Sequence, residues 1–389
     1  MASQLTAALA TALAARDASG LTRARRVLAS VQGGRVLVGQ RELVSFASND
    51  YLGLANDPAV VAAARDGAAN WGVGAGGSHL ICGHSVPHQL LEQELAAFVA
   101  PCANALALTF SSGYLANLAL IAALAGRGDT IFADRLNHAS LNDGALLSRA
   151  RFVRYPHNDI GALEARLAEP TSGRKLIVTD AVFSMDGDLA PLPQLLELAE
   201  SHDAWLLVDD AHGFGVLGEG RGSLARFGLV SERIVYMGTL GKAAGVAGAF
   251  VAALPVVIET LIQNARPYIY TTAGPAMLAC ALRASLAIIR DQPLRRAQLH
   301  QLIAQFRAGA NALPWTALPS ESAIQPLLVG DIAMVSALAE ALFACGFWVP
   351  AIRPPTVPQG TARLRVSLSA AHTHDDVDAL LGALRDLAR

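Results

Sequence analysis

Short, strongly apolar runs alternate along the middle of the chain with longer stretches in which apolar residues recur every three or four positions. The short runs predict buried strands, and the longer stretches, such as "LANLALIAALA" and "LPQLLELAESH", predict helices. Strands this apolar that alternate with helices are typical of a mainly parallel sheet covered on both faces. The predicted strands span residues 105–110, 130–134, 151–155, 175–183, 205–211, 233–238 and 248–253.

The last two predicted strands lie close together in the chain, which indicates a tight connection and one antiparallel strand in the sheet. A long helical stretch, 275–312, then leads out of this domain. Beyond it, strands and helices alternate, which predicts a small α+β domain. Its predicted elements are "AIQPLLVG", "VSALAEALFACG", "FWVPAI", "RLRVSLS" and "DDVDALLGALRDLA".

The N-terminal part of the chain predicts one helix and two short strands. In "MASQLTAALATALAAR", leucines and alanines recur at helical spacing and no basic residue precedes the apolar run, which favours an amphipathic helix over a targeting peptide. The runs "RVLV" and "LVSF" predict the strands. We therefore expect an N-terminal segment, 1–45, a large α/β domain, 46–285, and a small C-terminal domain, 286–389.

Composition argues against several classes of protein. A formal net charge of −2 over 389 residues leaves no electrostatic footprint for nucleic acid or an anionic membrane surface. No stretch reaches the roughly 18 uncharged apolar residues that a membrane span needs. The cysteines lack CxxC spacing, so we expect reduced thiols in a cytoplasmic protein. These cysteines are Cys82, Cys102, Cys280 and Cys345.

Two glycine strings, "GVGAGG" and "GFGVLG", match the dinucleotide fingerprint GxGxxG, but neither lies at a strand-to-helix turn. We expect both to be loops where backbone approaches a ligand or a neighbouring subunit.

The segment "CGHSVPH" brings Cys82, His84 and His88 together without a fourth metal ligand nearby. We expect its histidines to cap a helix and form hydrogen bonds, and we expect no metal site.

The segment "TFSSGYLANLAL" runs from a predicted strand through Ser-Ser-Gly directly into an apolar helix. The N–H groups of Gly113 and Tyr114 would then lie at a helix N-terminus, where unpaired donors and the helix dipole favour an anion. A simple serine N-cap explains the same residues equally well. Both interpretations stay open on the sequence alone.

The segments "WLLVDDAHGFG" and "TLGKAAG" indicate the chemistry. An apolar strand carries Asp209 to the edge of the sheet where open α/β folds bind ligands, and a buried carboxylate there needs a cationic or hydrogen-bonding partner. Lys242 is a single charge among threonine, glycine and alanine. A buried acid, an anion site and one lysine suit pyridoxal 5′-phosphate (PLP), whose pyridinium nitrogen, phosphate and aldehyde they would bind.

Five segments in this order resemble the α-oxoamine synthases: "SNDYLGL", "NHASLNDG", "VFSMDGDLAPL", "VDDAHGFGVLGEGRG" and "GTLGKAAG". The resemblance covers the chain from about residue 20 to its end. It implies a PLP-dependent acyltransferase of the aspartate-aminotransferase fold (fold type I), with a mainly parallel seven-stranded sheet. It also implies a homodimer whose active site lies at the subunit interface.

The resemblance also implies roles for individual residues. Lys242 would bind the cofactor covalently, Asp209 would hold the pyridinium proton, and His138 would stack on the ring and serve catalysis. The other cofactor-binding residues would be Gly113, Tyr114, Ser184, Ala211, His212 and Thr239, with Thr271 or Thr272 reaching the cofactor phosphate across the subunit interface. The substrate-binding residues would be Arg25, Asn49, His138, Arg353 and Thr356, with Arg353 and Asn49 anchoring a carboxylate.

Within that family, "AIRPPTVPQGTARLR" resembles the biotin-pathway member, which condenses L-alanine with a pimeloyl thioester on acyl carrier protein or coenzyme A. The alternatives are a glycine C-acetyltransferase and a 5-aminolevulinate synthase. A nicotinamide oxidoreductase built on the glycine strings and a non-catalytic binding protein are less favoured. Two residues depart from the family pattern, His79 in place of arginine and Ala244 in place of a bulkier residue.

Overall fold

The structure is a computed structural model that describes residues 3–388. Most strands are short and lie in the first two thirds of the chain. In chain order they are β1 Arg35–Val38, β2 Arg41–Ser45, β3 Leu106–Phe110, β4 Thr130–Asp134, β5 Arg151–Tyr155, β6 Lys175–Asp180, β7 Ala204–Asp209, β8 Ile234–Thr239, β9 Ala249–Ala253, β10 Thr316–Ala317, β11 Ile324–Gly330, β12 Phe347–Trp348, β13 Ala351–Ile352 and β14 Ala362–Ser367.

Helices separate most of the strands, as the alternating pattern predicts. In chain order they are α1 Gln4–Ala18, α2 Pro58–Trp71, α3 Val86–Val99, α4 Gly113–Leu124, α5 Ala139–Ser148, α6 Ile160–Leu167, α7 Leu192–Ser201, α8 Ser223–Phe227, α9 Pro255–Asn264, α10 Arg266–Ile269, α11 Ala276–Asp291, α12 Pro293–Ala310, α13 Ile332–Ala344 and α14 His374–Leu387. A one-turn π-helix, His79–Gly83, and a 3₁₀ turn, Gly218–Gly220, complete the set.

A seven-stranded sheet in the order β3-β9-β8-β7-β6-β4-β5 confirms the predicted fold class. The strands from β8 to β5 pair in parallel, while β9 pairs antiparallel with both β8 and β3. Every residue of β4, β8 and β9 is buried. Since successive side chains point to opposite faces, both faces of these strands are covered, which explains their uninterrupted apolar sequence.

The helical stretch predicted at 275–312 is two helices, α11 and α12, that meet at Gln292. Gln292 has φ −117° and ψ 72°, outside the helical region, and Pro293 follows it. The proline ring disfavours helical geometry in the residue before it, so the helix ends there and a new one begins.

The chain divides into two compact units. One unit combines the residues up to Ser48, the segment Met185–Gly187 and the residues from His300 onward. The other comprises Asn49–Ser184 and Asp188–Leu299 and contains the seven-stranded sheet. The division at residues 45 and 285 that we expect from sequence remains a prediction about domains.

The first unit contains two smaller sheets, and they correct one prediction. The run "FWVPAI" is not one strand. Its first part, β12, pairs in parallel with β2 in the sheet β1-β2-β12, whereas its second part, β13, pairs antiparallel with β14 in the sheet β10-β11-β14-β13. Pro350 separates the two parts and has no N–H to continue a ladder.

The N-terminal helix is confirmed as α1, with Ser3 accepting a hydrogen bond from Thr6 N at its start. Its leucines are not buried, however. Leu5, Leu9 and Leu13 are each exposed by 66% or more of their surface. The helical spacing therefore gave the correct element, but within this chain α1 contributes nothing to the core.

Candidate active site

Lys242 lies in the loop that follows β8, and its Nζ is 2.9 Å from Nε2 of His212. The loop folds tightly, because Gly245 N donates to Lys242 O at 2.8 Å and Ser285 Oγ donates to Ala244 O at 2.7 Å. Gly245 has φ +71°, and a Cβ there would come within 2.5 Å of the backbone of Leu54 and Ala55. Only glycine satisfies both conditions, so the small residues around Lys242 have a structural reason.

Asp209 ends β7 and is 3% exposed. Its Oδ1 accepts from Ala211 N at 3.0 Å, and its Oδ2 accepts from Asn117 Nδ2 at 2.7 Å. These bonds offset part of the cost of burying a carboxylate, and each oxygen keeps acceptor capacity for a further donor. The arrangement suits a cationic N–H at this position.

His138 is the N-cap residue of α5, and its backbone N–H donates to Asp180 Oδ2 at 2.6 Å. Its Nδ1 lies 2.7 Å from Ser140 Oγ, which also accepts from Asn117 Nδ2 at 2.9 Å. Burial lowers the pKa of His138; the charge of Lys242 lowers it further, and that of Asp209 opposes the decrease. The imidazole therefore lies within electrostatic reach of both residues and is neutral at pH 7.

Asp180, at the end of β6, pairs in register with Asp209 on the neighbouring strand. Burial and the charge of Asp209 raise the pKa of Asp180 well above its usual value. One negative charge therefore occupies this edge of the sheet more readily than two.

Asp210, beside Asp209, has a structural role. It accepts from Ser223 N and Oγ, both at 2.6 Å, and from Tyr236 OH at 3.0 Å. Burial raises the pKa of Asp210 to about 7. Since Ser223 begins α8, Asp210 accepts a backbone N–H of the first turn of that helix from across the loop.

The predicted anion site is a helix start in which Ser112 is the N-cap of α4, with Oγ accepting from Leu115 N at 3.3 Å. The serine-cap interpretation is confirmed, and it leaves the N–H groups of the first turn directed out of the helix. Gly113 brings this turn close to β8, because a Cβ on it would lie 3.8 Å from Thr239 Oγ1. Tyr114 OH donates to Asp143, and the rings of Tyr114 and His138 meet edge to face at 6.3 Å.

These residues fit PLP by their chemistry. The site offers an amine for the aldehyde, a buried carboxylate for the pyridinium nitrogen and a helix start with a hydroxyl for the phosphate. Asn117 provides a further indication: its Oδ1 is buried and has no hydrogen-bond partner among residues 3–388. A buried polar atom of this kind beside Asp209 marks a place where another group is expected.

Of the other predicted residues, Ala211 lies at the site, where its N–H donates to Asp209 Oδ1. Ser184 is half-buried beyond β6, and Ala211 follows the two aspartates. Thr271 and Thr272 are on the loop between α10 and α11, where Thr272 forms an isolated bridge with Ser78. Three substrate-binding candidates belong to the other compact unit. They are Arg25, Arg353 and Thr356.

Three residues at the site were not predicted. Asn117 and Asp180 contact Asp209 and His138 as described, and Tyr51 OH lies 2.7 Å from His212 Nδ1. A sequence signal exists for Asn117, which is the one amide in the otherwise apolar helix α4. A single amide on an apolar helix needs a buried partner. Tyr51 and Asp180 carry no such signal, because their partners are far away in the sequence.

The histidines of "CGHSVPH" behave as expected. His88 and Ser85 form a capping box at the start of α3, and His88 Nε2 lies 2.8 Å from Gly274 O. Burial and the neighbouring histidines lower the pKa of His79 to about 4. Among residues 3–388, no cluster of three or more histidine, cysteine or acidic side chains is arranged to hold a metal ion. The first glycine string lies in a loop, the second in a loop that ends at the 3₁₀ turn, and the four cysteines are unpaired.

A family model described as aminotransferase class I and II matches residues 41–384. The chain belongs to this family. A relative from Polaromonas naphthalenivorans (strain CJ2), named 8-amino-7-oxononanoate synthase, is 59% identical, and the match covers 96% of each chain. A relative of the same name from Herminiimonas arsenicoxydans is 57% identical over 97% of this chain and 98% of its own.

Solved structures agree. Serine palmitoyltransferase of Sphingomonas wittichii superposes with a TM-score of 0.92 at 32% identity, covering 99% of this chain and 98% of that one. The S. paucimobilis enzyme with bound PLP–myriocin aldimine gives 0.91 at 30% identity, covering 97% and 96%. An 8-amino-7-oxononanoate synthase from Francisella tularensis gives 0.77 at 32%, covering 89% and 97%. The chain is a PLP-dependent enzyme with the α-oxoamine synthase fold.

Within residues 3–388, no helix combines the length and the apolarity that crossing a bilayer requires.

A partly buried ion-pair cluster lies at the same edge of the large sheet. His157 Nδ1 is 3.0 Å from Asp134 Oδ1, and its Nε2 is 2.8 Å from Asp188 Oδ2. Burial alone would lower the pKa of His157, but the hydrogen bonds and charges of the two carboxylates raise it to about 10. The imidazolium therefore links the end of β4 to the turn after β6.

We expect His157→Gln to lose stability in a pH-dependent way. Below pH 6.5 the folded and unfolded forms of the wild type both bind the proton, so its contribution, about 2–4 kcal/mol, is fully present. That contribution disappears as the pH rises from 6.5 through about 10. Urea unfolding of both proteins at pH 6 and pH 9.5 measures it, with His202→Gln as the control. A difference independent of pH would contradict the assignment.

Proposed function

We propose that the enzyme condenses L-alanine with a pimeloyl thioester, releasing carbon dioxide and the free thiol carrier and giving 8-amino-7-oxononanoate for biotin biosynthesis. The observation that carries the proposal is the convergence of Lys242, His212, Asp209 and His138 at one edge of the sheet. The names of relatives at 57–59% identity support the choice of substrates.

We propose the following residues to hold PLP. Lys242 would bind its aldehyde carbon, and Asp209 would keep a proton on its pyridine nitrogen. When bound, PLP supplies an electron sink for the carbon next to the amino nitrogen of the substrate. His138 and Ala211 would pack on the two faces of the ring, and the remaining polar contacts would come from Ser184, His212, Gly113, Tyr114 and Thr239.

Lys242 would have a second task, as the base that removes the Cα proton of alanine. An amine at this position can accept that proton on Nζ and return a proton to the product. Asn117 Nδ2 and Ala211 N donate to Asp209 and hold its carboxylate in place, where it would keep a proton on the pyridine nitrogen. Charge that develops in the reaction is then stabilised by groups already in place, which is commonly the largest contribution to catalysis.

Arg353 is the proposed anchor for the alanine carboxylate. Its guanidinium donates to the backbone carbonyl oxygens of Gly20 and Thr22. Neutral carbonyls bind a guanidinium less strongly than a carboxylate does, so a substrate can replace them. Asn49, Arg25 and Thr356 are proposed to complete the substrate site.

We propose that the enzyme works as a cytoplasmic homodimer in which Thr271 or Thr272 reaches the partner's cofactor phosphate. Apolar side chains support an interface on this part of the chain, where Ser78 and Thr272 form a bridge. Each of them is exposed by 44% or more in the single chain. They are Trp71, Val73, Leu80, Ile81 and Tyr270.

The amino-acid preference tests the proposal against its alternatives. We expect alanine to change the visible absorbance of the PLP-loaded enzyme at concentrations about tenfold lower than glycine or serine, a preference that corresponds to roughly one well-placed methyl group. Titrations with the three amino acids, without thioester, measure it. A stronger response to glycine would contradict alanine as the substrate and favour a glycine C-acetyltransferase or a 5-aminolevulinate synthase. A stronger response to serine would likewise contradict alanine as the substrate.

A further inference from the structure

We propose that Tyr51 sets the tautomer of His212, so that His212 Nε2 presents a proton acceptor to Lys242 Nζ. Tyr51 would thus be a positioning residue for the lysine that binds the cofactor. The inference rests on the proposed role of Lys242. It concerns the chain's own residues, and none of the roles proposed above includes Tyr51.

A continuous hydrogen-bonded chain links Tyr51 to the lysine. Tyr51 OH lies 3.1 Å from Asn49 Oδ1 and 2.7 Å from His212 Nδ1. On the other side of the imidazole, His212 Nε2 lies 2.9 Å from Lys242 Nζ. Tyr51 is completely buried and His212 is 7% exposed. Water therefore does not compete readily for these bonds.

Counting the hydrogens in this series of hydrogen bonds assigns the tautomer of His212. A phenol carries one hydrogen, and Tyr51 donates it to Asn49 Oδ1. The phenol oxygen must then accept from His212 Nδ1, which therefore carries the imidazole proton. A neutral imidazole has one N–H, so Nε2 has the lone pair and accepts from Lys242 Nζ.

This tautomer matters because Lys242 must lose a proton before its nitrogen can attack an aldehyde. One proton moves from Nζ to His212 Nε2: the Nζ–H bond breaks, the Nε2–H bond forms, and the positive charge passes to the imidazole. Nδ1–H continues to donate to Tyr51 throughout. The opposite tautomer would direct Nε2–H at the amine and could not accept its proton.

The segment that carries Tyr51 is held rigidly beside the lysine loop. Asp50 Oδ1 accepts from Leu54 N at 2.8 Å, and its Oδ2 accepts from Ala55 N at 3.0 Å. The backbone of Leu54 and Ala55 is also what packs against Gly245. The segment that carries Tyr51 and the loop that carries Lys242 are therefore packed against each other. This packing holds the two ends of the series of hydrogen bonds in place, as precise positioning of a functional group requires.

The tautomer can be observed directly. In full-length protein freed of cofactor with hydroxylamine and labelled with ¹⁵N-histidine, we expect His212 to be protonated on Nδ1. The signal is assigned by its absence in His212→Asn. In Tyr51→Phe the Nδ1–H loses its acceptor, so we expect the pattern to move toward Nε2–H. Protonation on Nε2 in the wild type, or an unchanged pattern in Tyr51→Phe, would overturn the proposal.

The rate of cofactor attachment gives a second readout. The chain contains only two lysines, Lys175 and Lys242, so covalent loading by PLP is followed cleanly by absorbance and by mass after borohydride reduction. We expect Tyr51→Phe to slow the loading of Lys242 about tenfold at pH 7. This is a modest part of the rate acceleration that positioned proton transfer contributes. The matched control is Tyr155→Phe, a buried tyrosine on edge strand β5, and it should load at the wild-type rate.

The outcomes separate this inference from the proposed function. If His212→Asn slows loading but Tyr51→Phe does not, His212 acts without Tyr51 and the inference fails while the proposed function stands. If borohydride fixes the label elsewhere than Lys242, the proposed function fails first. Melting temperatures of all variants within a few degrees of wild type exclude misfolding as the cause.

Discussion

Lys242→Ala should abolish covalent cofactor attachment and lower turnover by roughly a thousandfold or more, because the variant lacks both the attachment point and the proposed base. Nζ lies in a loop that small residues shape, and alanine fits there without strain, so the fold should persist. Borohydride reduction followed by peptide mass spectrometry measures attachment, and product formation measures turnover.

Lys175 supplies the matched control, since it is the only other lysine. Its Nζ donates to Leu167 O at 3.2 Å, at the start of β6. Lys175→Ala should attach cofactor normally. Full activity in Lys242→Ala, or loss of attachment in Lys175→Ala alone, would show that the lysine has been assigned incorrectly.

Asp209→Asn should keep the cofactor attached but reduce turnover by roughly 10²–10³-fold, the range found when one preorganised electrostatic partner is removed. An amide cannot hold a proton on the pyridine nitrogen. The variant should still fold, because Asn117 can turn its unpartnered Oδ1 toward the new amide. The measurements are the visible absorbance of the PLP-loaded variant in the presence of alanine and its rate of product formation.

The neighbouring Asp210→Asn tests whether the loss is specific. The pKa of Asp210 is about 7, so at pH 6 it is mainly protonated and asparagine replaces it closely. Activity at pH 6 should stay within about threefold of wild type. Equal losses in both variants would assign the effect of Asp209 to folding rather than to the cofactor.

The sequence predicted the sheet well where burial alone decides. Strand β4, all of whose residues are buried, has the predicted bounds. Strand β5 also has the predicted bounds, although only Tyr155 in it is buried. The prediction failed where long-range pairing decides. Nothing local in "FWVPAI" indicates that its two halves join different sheets, and nothing in "MASQLTAALATALAAR" indicates that its leucines stay exposed.

The site shows the same division. Lys242, Asp209 and the start of α4 stand out because a charge or a Ser-Ser-Gly turn interrupts an apolar run. Tyr51 does not, since its importance depends on His212, 161 positions away. The same reasoning applies to Asp180, whose partner is the backbone of His138. Residues that position other residues are recognised only once the chain is folded.

The most direct test of the central claim is a product assay with alanine. Purified enzyme is loaded with PLP and incubated with carboxyl-¹³C alanine and pimeloyl-coenzyme A or pimeloyl-acyl carrier protein. The account predicts 8-amino-7-oxononanoate by mass spectrometry, one ¹³CO2 per product, and neither in Lys242→Ala. Product from glycine or serine but not from alanine, or product that retains the ¹³C label, would contradict it.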